Sequence, residues 1–322
     1  MKAMIMAAGV GSRLMPLTAE IPKPMIPVGN RPLMAGIVEL LREHGFTDII
    51  ANLHYHADII KDYFGDGAGF KVSMQYSPER ELMGTAGGVK RCAWFLDDTF
   101  VVMSGDALTD IDLTCLLNEH KKKGALATIA IKEVEEVERF GIVITDEEGR
   151  IKSFQEKPSR KEALSHYANT GIYVFEPEIF DYIPANEFYD FGKQVFPHLV
   201  RIGAPFYAAL TDAYWCDVGN INTYHQANID VLEGRVKIRT EGRLVKKDDA
   251  CLLIGEDVFI DEEAKVTGYN VLGRGCHVGA GAVLHNAVVW EGNRVEGDTV
   301  FRDCVLGRGC VVRCGELAAK EC

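Results

Sequence analysis

Basic residues are scarce in this sequence relative to acidic ones. Its 322 residues include 35 Lys and Arg against 47 Asp and Glu, which gives a formal net charge of −12 at pH 7. Nucleic-acid binding depends on basic side chains that meet phosphates, so this charge balance argues against a nucleic-acid partner. An anionic ligand must instead be met by local cations, by helix N-termini or by a metal ion.

Long apolar runs are missing as well. No run approaches the ~20 residues that span a bilayer. The brief apolar start, Ala3 to Ile5, is followed directly by glycines and Arg13, which does not fit a secretory signal. We therefore expect a cytoplasmic protein that does not associate with membranes.

The sequence also lacks a CxxC pair. Its nine cysteines are thinly spread and odd in number, a pattern that favours reduced thiols over a disulfide framework. Cys310 and Cys314, four positions apart, could be metal ligands. Small, buried, apolar side chains are the favoured interpretation of both.

Apolar residues, in contrast, make up 47% of the chain, as in globular domains. Over positions 1–235, short apolar runs alternate with amphipathic segments, which predicts an α/β fold. The clearest predicted elements are helices at 32–45 and 57–64 and strands at 47–53 and 99–103. Two apolar runs flank 146–150 and predict a hairpin, so we expect a mixed sheet.

The periodicity changes after Gly234. Apolar residues then fall six apart, seven in succession: Ile254, Ile260, Val266, Leu272, Val278, Leu284 and Trp290. Period six with glycine-rich corners predicts a parallel β-helix over 251–322, after a linker at 236–250. An antiparallel sandwich would not need the fixed period. Two nearly identical octapeptides, 271–278 and 305–312, are offset by a distance that is not a multiple of six, so the phase must slip between them.

A glycine-rich turn, MAAGVGSRLMPLT, follows the first predicted strand. A dinucleotide fingerprint needs a third glycine where this chain has Leu14, and no Walker loop is present. The remaining pattern, with Gly9, Gly11 and Arg13, allows close backbone approach to a phosphate beside a forked cation. A tight strand-to-helix corner is equally compatible. Lys23, held between two prolines, could join Arg13 on a polyphosphate or lie in a surface loop.

Carboxylates occupy three further positions of interest. Asp106 ends a buried strand, and Asp217 lies in the segment WCDVG. Such carboxylates suit Mg²⁺, which takes one or two of them plus substrate phosphates. Taken alone, each aspartate is better explained as a turn or N-cap residue. Glu156 and Lys157 are neighbours, so they can enter one pocket only where the strand ends or bends, as Pro158 favours. A surface ion pair is the alternative.

In their order along the chain, these segments resemble the sugar-1-phosphate nucleotidylyltransferases. The family signature G-x-G-[TS]-R-L-x-P-L-T followed by P-K-P matches 9–18 and 22–24. The other matching segments are 82–88, 105–106, 156–158, 169–171 and 215–217. Segments 104–113, 121–129 and 169–180 resemble the mannose-1-phosphate guanylyltransferases within that family. The resemblance implies a Rossmann-like, mixed-sheet catalytic domain over 1–235 and a C-terminal left-handed β-helix of hexapeptide repeats.

The resemblance also implies a role for each matching residue. The nucleotide would be held by Ala8, Gly9, Gly11, Ser12 and Gly84. The catalytic cations would be Arg13, Lys23 and Lys157. The sugar phosphate would meet Gly141, Glu156, Lys157 and Asn169, and Mg²⁺ would be bound by Asp106 and Asp217. Glu81 is the candidate for reading the base, since a carboxylate can accept from guanine N1–H and N2–H₂ together.

The implied reaction transfers a nucleoside monophosphate from a nucleoside triphosphate to a sugar 1-phosphate and releases pyrophosphate. GTP and mannose 1-phosphate, giving GDP-mannose, are the favoured substrates. Ala8 stands where many guanylyltransferases have glycine and Met15 where they have arginine or tyrosine, which leaves UTP or dTTP with glucose 1-phosphate as alternatives. A regulatory relative that only binds nucleotide sugar is another, although the set of cations and aspartates is complete. We expect a homo-oligomer, assembled through the β-helix.

Overall fold

A computed structural model describes residues 1–313, with side chains described to residue 309, so the side chain of Cys310 and the whole of Cys314 lie outside the described part. The strands are β1 Lys2–Met6, β2 Pro27–Val28, β3 Arg31–Pro32, β4 Asp48–Leu53, β5 Ser73–Pro78, β6 Phe100–Ser104, β7 Ala107–Thr109, β8 Ala127–Glu133, β9 Gly141–Thr145, β10 Ile151–Glu156, β11 Tyr167–Phe175, β12 Phe206–Leu210, β13 Trp215–Asp217, β14 Arg243–Lys247, β15 Ala250–Ile254, β16 Phe259–Ile260, β17 Lys265–Leu272, β18 His277–Val278, β19 Val283–Val289, β20 Arg294–Val295, β21 Val300–Gly307 and β22 Cys310–Arg313.

The helices are α1 Leu33–Glu43, α2 Ala57–Phe64, α3 Gly84–Arg91, α4 Leu113–Lys122, α5 Phe196–Arg201 and α6 Ile221–Glu233, with short 3₁₀ turns at Ser12–Leu14 and Lys23–Met25, among others. Helices α1 and α2 lie where the sequence predicts them. Across these described residues, no helix has the length and apolar character needed to cross a bilayer.

The chain forms two compact units, and each contains more than one segment. Unit 1 comprises Met1–Val10, Ile37–Ala107 and Ile111–Trp215, whereas unit 2 comprises Gly11–Gly36, Leu108–Asp110 and Cys216–Cys322. The glycine-rich turn therefore begins in one unit and continues in the other. The predicted linker 236–250 includes β14, which pairs antiparallel with β15. The domain boundaries at 235 and 250 stay a prediction.

Unit 1 is built on a mixed sheet, as predicted. Its strands run in the order β10-β9-β11-β6-β1-β4-β5, with β8 beside β11 and β12 beside β8. The strands β6, β1, β4 and β5 are mutually parallel, while β11 is antiparallel to its neighbours. The predicted hairpin is β9 and β10 around the turn at 146–150. Parallel strands put their carboxyl ends at one edge of the sheet, which is where loops carrying chemistry are expected.

The core of unit 1 lies against this sheet. Aromatic rings dominate one part of it, where Phe175, Phe191 and Phe196 are buried and lie with ring centroids 5.1 to 6.5 Å apart. Packed aromatic side chains bury large apolar areas and prefer offset or tilted contacts. Phe175 belongs to β11, so this core packs directly on the strand that also carries Asn169.

In unit 2, the segment Gly11–Gly36 packs with α6 and the C-terminal strands. The backbone N–H of Gly29 donates to Asn228 Oδ1 in α6, and Asn30 Nδ2 donates to the carbonyl of Leu272 in β17. The buried Tyr224 hydroxyl accepts from Trp290 Nε1 at 2.8 Å. Each of these hydrogen bonds links residues more than sixty positions apart. The first two tie the end of segment 11–36, which also carries Lys23, to α6 and β17.

The C-terminal strands form two parallel ladders, which the chain enters alternately. One ladder is β15-β17-β19-β21 and the other is β16-β18-β20. Ala250 pairs with Gly268, a step of three complete hexads. Val271 pairs with Val288, and Val288 with Val305, so each of these steps is one residue short of three hexads. The two shorter steps account for the offset between the octapeptides.

The slip has a consequence for the predicted period of six. Val289, not Trp290, pairs with Leu272 and enters the apolar cluster of the ladders with Val278 and Leu284. Trp290 instead lies against Tyr224, edge to face. The last member of the predicted series therefore packs on α6, because one residue is missing from the repeat.

Candidate active site

The first half of the glycine-rich turn belongs to unit 1 and leaves the carboxyl end of β1. Ala7 and Ala8 are buried, whereas Gly9 and Val10 are exposed. The N–H of Ala7 donates to Asn52 Oδ1 at 2.9 Å, which fixes the first residue after the strand. The exposed backbone that follows is free of bulky side chains at Gly9, where an added Cβ would meet no atom within 4 Å.

The second half of the turn belongs to unit 2. Gly11 has φ of 72°, and a Cβ added there would lie 2.9 Å from Lys23 Cβ. A left-handed conformation and this close approach both require glycine. The Thr18 hydroxyl donates to the Gly11 carbonyl at 2.9 Å. Ser12 then begins a 3₁₀ turn with exposed Arg13, so a guanidinium stands directly beyond the glycine.

Lys23 is a buried cation. Its Nζ lies 3.6 Å from Asp217 Oδ1, with the lysine side chain 9% exposed and the aspartate 32%. Arg13 belongs to the same neighbourhood: a Cβ added at Gly219 would lie 3.0 Å from Asp217 Oδ2 and 3.3 Å from Arg13 Nη2. Unit 2 thus gathers two cations and one carboxylate, side chains that are able to meet a phosphate and a metal ion.

Asp106 follows β6 at the carboxyl end of the parallel strands, as predicted for a ligand-binding edge. The Ser104 hydroxyl donates to its Oδ1. Gly171 lies against Ser104, where an added Cβ would come within 3.1 Å of Ser104 Cβ. Asn169 belongs to the same end of β11: its Oδ1 accepts from the Gly171 N–H. Burial raises the pKa of Tyr173, whose hydroxyl hydrogen-bonds Asn169, so this phenol stays protonated beside it.

Gly141, Glu156 and Lys157 come together at the end of the hairpin. Gly141 pairs with Glu156 in the strand register. Strand β10 ends at Glu156. Lys157 follows with φ of 46°, a left-handed backbone conformation that residues other than glycine rarely adopt. Lys157 Nζ lies 3.8 Å from Glu156 Oε1, and both side chains are more than half exposed. Neighbouring side chains within a strand point to opposite faces. Because β10 ends at Glu156, the side chains of Glu156 and Lys157 can both reach one ligand.

Gly84 opens α3 with φ of 74° and packs on the backbone of Tyr189 so closely that a Cβ would clash with its carbonyl oxygen. The N–H groups of Ala86 and Gly87 also donate to that carbonyl, each at 3.0 Å. Glu81 is exposed two positions before the helix cap, Met83.

Glu79 is the residue that the sequence motifs miss. It is 5% exposed, and its carboxylate accepts from Asn52 Nδ2 at 2.7 Å and from the Met83 N–H at 3.0 Å. The run Pro78 to Glu81, PERE, is polar and charged, and nothing in it indicates that one of its two glutamates is buried. The signal that could have found it is its position directly after β5, at the carboxyl end of a strand that runs parallel to β4.

A magnesium ion is implied by the family resemblance, and the donor chemistry of both aspartates fits it. Asp106 and Asp217 offer carboxylate oxygens, the ligands that Mg²⁺ prefers together with phosphates and water. Within residues 1–313, no group of three or more His, Cys, Asp or Glu side chains is arranged to hold a metal by itself. Mg²⁺ generally takes one or two protein carboxylates and completes its coordination with water and substrate phosphates.

Two surface cavities lie away from the predicted site residues. One, of about 410 Å³, is in unit 2 and is lined by Glu233, Lys246 and Tyr269, among others. The other, of about 540 Å³, is in unit 1 and is lined by Lys132, Arg160 and others. Neither is lined by a residue that the sequence motifs single out, so cavity volume does not identify the site.

Comparison with known proteins gives the class. A family model described as nucleotidyl transferase matches residues 2–234, and the chain belongs to that family. It is 42% identical to the UTP–glucose-1-phosphate uridylyltransferase of Synechocystis sp., over 98% of this chain and 89% of that protein. It is 31% identical to the mannose-1-phosphate guanylyltransferase of Mycobacterium tuberculosis, over 93% and 82%. The solved structure of HddC from Yersinia pseudotuberculosis complexed with GMP-PN is similar at a TM-score of 0.62 and 26% identity, over 71% of this chain and 99% of that one.

Proposed function

We propose that this protein is a sugar-1-phosphate nucleotidylyltransferase, which transfers a nucleoside monophosphate from a nucleoside triphosphate to a sugar 1-phosphate and releases pyrophosphate. The observation that carries the proposal is the buried ammonium of Lys23, 3.6 Å from Asp217. A lysine is buried in this way only when a partner offsets the loss of hydration. Its position next to Arg13 fits a site for phosphate groups.

In the proposed reaction, a phosphate oxygen of the sugar 1-phosphate attacks the α-phosphorus of the triphosphate in line with the bond to pyrophosphate. Both reactants are anions, so the protein must position them and neutralise charge rather than form a covalent intermediate. Arg13 and Lys23 would bind the triphosphate and the leaving pyrophosphate. Lys157 would hold the sugar phosphate, with Glu156 and Asn169 on the sugar hydroxyls.

Asp106 and Asp217 are the ligands that we propose for Mg²⁺, the cofactor. When bound, the ion would supply positive charge that offsets the charge of the reacting phosphates. The backbone of Ala8, Gly9, Gly11 and Ser12 would approach the nucleotide, and Gly84 would lie against its base.

The comparisons bear on which base and which sugar are used. The Synechocystis uridylyltransferase shares 42% identity along nearly the whole chain, against 31% for the guanylyltransferase. For this reason we place UTP with glucose 1-phosphate ahead of GTP with mannose 1-phosphate, the pair that the sequence motifs favour. Exposed Glu81 is the observation that supports GTP, because a carboxylate can accept two hydrogen bonds from guanine.

A pyrophosphate-release assay over four nucleotides and several sugar 1-phosphates tests the proposal. The nucleotide sugar formed should be identified by its mass, so that hydrolysis is not mistaken for transfer. Turnover with one pair well above the rest supports the proposal and selects the base. Glu81→Gln should lower the preference for GTP over UTP if Glu81 reads guanine. Nucleotide binding without transfer by any pair would favour the alternative, a relative that only binds.

The proposal also covers the C-terminal repeats, their fold and their role in assembly. Two alternating parallel ladders, with steps of three hexads or one residue fewer, support a β-helix of hexapeptide repeats. We propose that it is left-handed, on the family resemblance, and that it mediates homo-oligomer formation. Light scattering of the full chain coupled to size exclusion would measure the oligomeric state, and a monomer at all concentrations would contradict that part.

A further inference from the structure

We propose that Glu79 and Asn52 form a positioning pair, which fixes the start of the glycine-rich turn relative to the Gly84 turn. The proposal rests on the proposed function, because it concerns the placement of the nucleotide in that reaction. Both residues lie in unit 1, and neither belongs to the family motifs quoted above. Both side chains are almost fully buried, so the pair is proposed to act through the two backbone segments that it joins.

The pair forms a continuous hydrogen-bonded path. The Ala7 N–H donates to Asn52 Oδ1 at 2.9 Å, Asn52 Nδ2 donates to Glu79 Oε1 at 2.7 Å, and the Met83 N–H donates to Glu79 Oε2 at 3.0 Å. One end of the path is the residue before Ala8 and Gly9. The other end is the residue before Gly84. A nucleotide whose phosphates lie on the first segment and whose base lies on the second therefore depends on the path between them.

The path is buried and closely packed. Asn52 is 4% exposed and Glu79 5%. A Cβ added at Gly88 would lie 2.7 Å from both Asn52 Nδ2 and Glu79 Oε1, so α3 lies directly on the pair. The Glu79 backbone is held as well, because its N–H donates to the Leu53 carbonyl at 2.7 Å. A side chain so enclosed cannot rotate away to compensate for a lost partner.

The polarity of the path is fixed at every step. A carboxylate only accepts, so Asn52 must turn its NH₂ toward Glu79 and its oxygen toward the Ala7 N–H. In Glu79→Gln the new amide has one oxygen and one NH₂. If its oxygen faces Asn52, its NH₂ meets the Met83 N–H. If its oxygen faces Met83, its NH₂ meets Asn52, and flipping Asn52 then moves the conflict to Ala7. Every arrangement leaves two donors facing each other.

A second substitution removes the conflict. In the double variant Asn52→Asp with Glu79→Gln, the new carboxylate at position 52 accepts from the Ala7 N–H and from the amide at position 79, whose oxygen accepts from Met83. The charge, the number of hydrogen bonds and the approximate volume are all restored, with the carboxylate moved from position 79 to position 52. A role that needs only a closed hydrogen-bonded path predicts rescue. A role that needs the charge at position 79 predicts none.

The experiment compares the wild type, Glu79→Gln and the double variant, measuring nucleotide binding by calorimetry with UTP and with GTP in the presence of Mg²⁺. We expect Glu79→Gln to weaken nucleotide binding and raise the nucleotide KM by about 10-fold or more, to leave the sugar-phosphate KM unchanged, and the double variant to regain most of the loss. Thermal unfolding of all three proteins accompanies the kinetics, because a variant that merely unfolds would lose both substrates together.

Unchanged nucleotide binding in Glu79→Gln would overturn the inference, and so would a folded double variant that is no better than the single one. If Glu79→Gln does not fold, the double variant alone decides: a folded protein with near wild-type nucleotide binding supports the pair, and a folded protein without it overturns the pair. A wild type that binds nucleotide but transfers it to no sugar phosphate would overturn the proposed function while the binding comparison still tests the pair.

Discussion

Lys23 places its ammonium nitrogen 3.6 Å from Asp217 Oδ1 while its side chain is only 9% exposed. The two residues are far apart in sequence, and both lie in unit 2. The prolines on either side of Lys23 and the contact of its Cβ with Gly11 hold the side chain in one place. A cation fixed before substrate arrives needs no reorganisation during the reaction, which is the condition for effective charge stabilisation.

Replacing Lys23 with Met should therefore remove most of the activity. Methionine keeps the apolar stem but not the charge, and we expect turnover to fall by roughly 100-fold or more, the usual cost of losing one preorganised charge stabiliser. Steady-state pyrophosphate release measures it. Lys122→Met is the matched control, because the Lys122 side chain is 78% exposed and pairs with the neighbouring helix residue Glu119. Equal turnover in the two variants would remove Lys23 from the reaction.

Gly11 offers a test of geometry without a change in charge. Gly11→Ala puts a methyl group at φ of 72° and 2.9 Å from Lys23 Cβ, so Lys23 must move. Gly234→Ala has nearly the same φ, 75°, but meets no atom within 4 Å. Both variants should lose about 1–2 kcal/mol of unfolding free energy from backbone strain. Only Gly11→Ala should also lose turnover, and a similar loss in Gly234→Ala would show that strain alone is responsible.

Local pattern predicted local structure well. Helices α1 and α2 follow from apolar spacing, and the hairpin of β9 and β10 from two apolar runs around a polar turn. The offset between the two octapeptides predicted a slip in the repeat, which the shortened steps at Val271 and Val288 explain.

Long-range contacts were not predictable in this way. The segment 11–36 belongs to unit 2 through hydrogen bonds such as that from Gly29 to Asn228. These two residues are far apart in sequence, and no local pattern relates one to the other. Glu79 is buried, and its carboxylate accepts hydrogen bonds from Asn52 and from the Met83 N–H. The sequence of the PERE run does not indicate these partners. Tertiary contacts decide whether such residues are buried. The residues of the family motifs, in contrast, were identified by matching the family pattern position by position.

Asp106→Asn should change the dependence of the reaction on magnesium. An amide keeps the shape and the hydrogen bond from Ser104 but loses the negative charge that a divalent cation needs. We expect turnover to fall by about 100-fold and the Mg²⁺ concentration for half-maximal rate to rise, as measured by titrating MgCl₂ at fixed substrate. Asp58→Asn, with its side chain 92% exposed on α2, is the control. A Mg²⁺ dependence identical to that of the wild type would exclude Asp106 as a ligand.

Lys157→Met should separate the two substrates. Since Lys157 is proposed to hold only the sugar phosphate, the KM for that substrate should rise by about 10-fold or more while the nucleotide KM stays the same, as expected for loss of one charge-assisted hydrogen bond. Lys161→Met, an exposed lysine four positions later, controls for general charge. An increase in both KM values would indicate a disturbed loop rather than a lost contact.

His120 should make the stability of the protein depend on pH in a narrow range. Its imidazole is fully buried, with Nδ1 2.8 Å from Thr128 Oγ1 and Nε2 3.1 Å from Glu176 Oε1. Burial lowers the pKa of His120 in the folded protein, and the nearby Glu176 only partly opposes this.

The sign of the effect follows from that direction. As pH falls below about 6.5, the ordinary histidine value, the unfolded chain takes up a proton that folded His120 refuses, so the free energy of unfolding decreases. Urea unfolding between pH 5 and 7.5 measures the slope. His120→Gln should reduce the slope, whatever its effect on absolute stability, and His166→Gln, at an exposed position, is the matched control. An unchanged slope in His120→Gln would mean that this histidine titrates alike in both states.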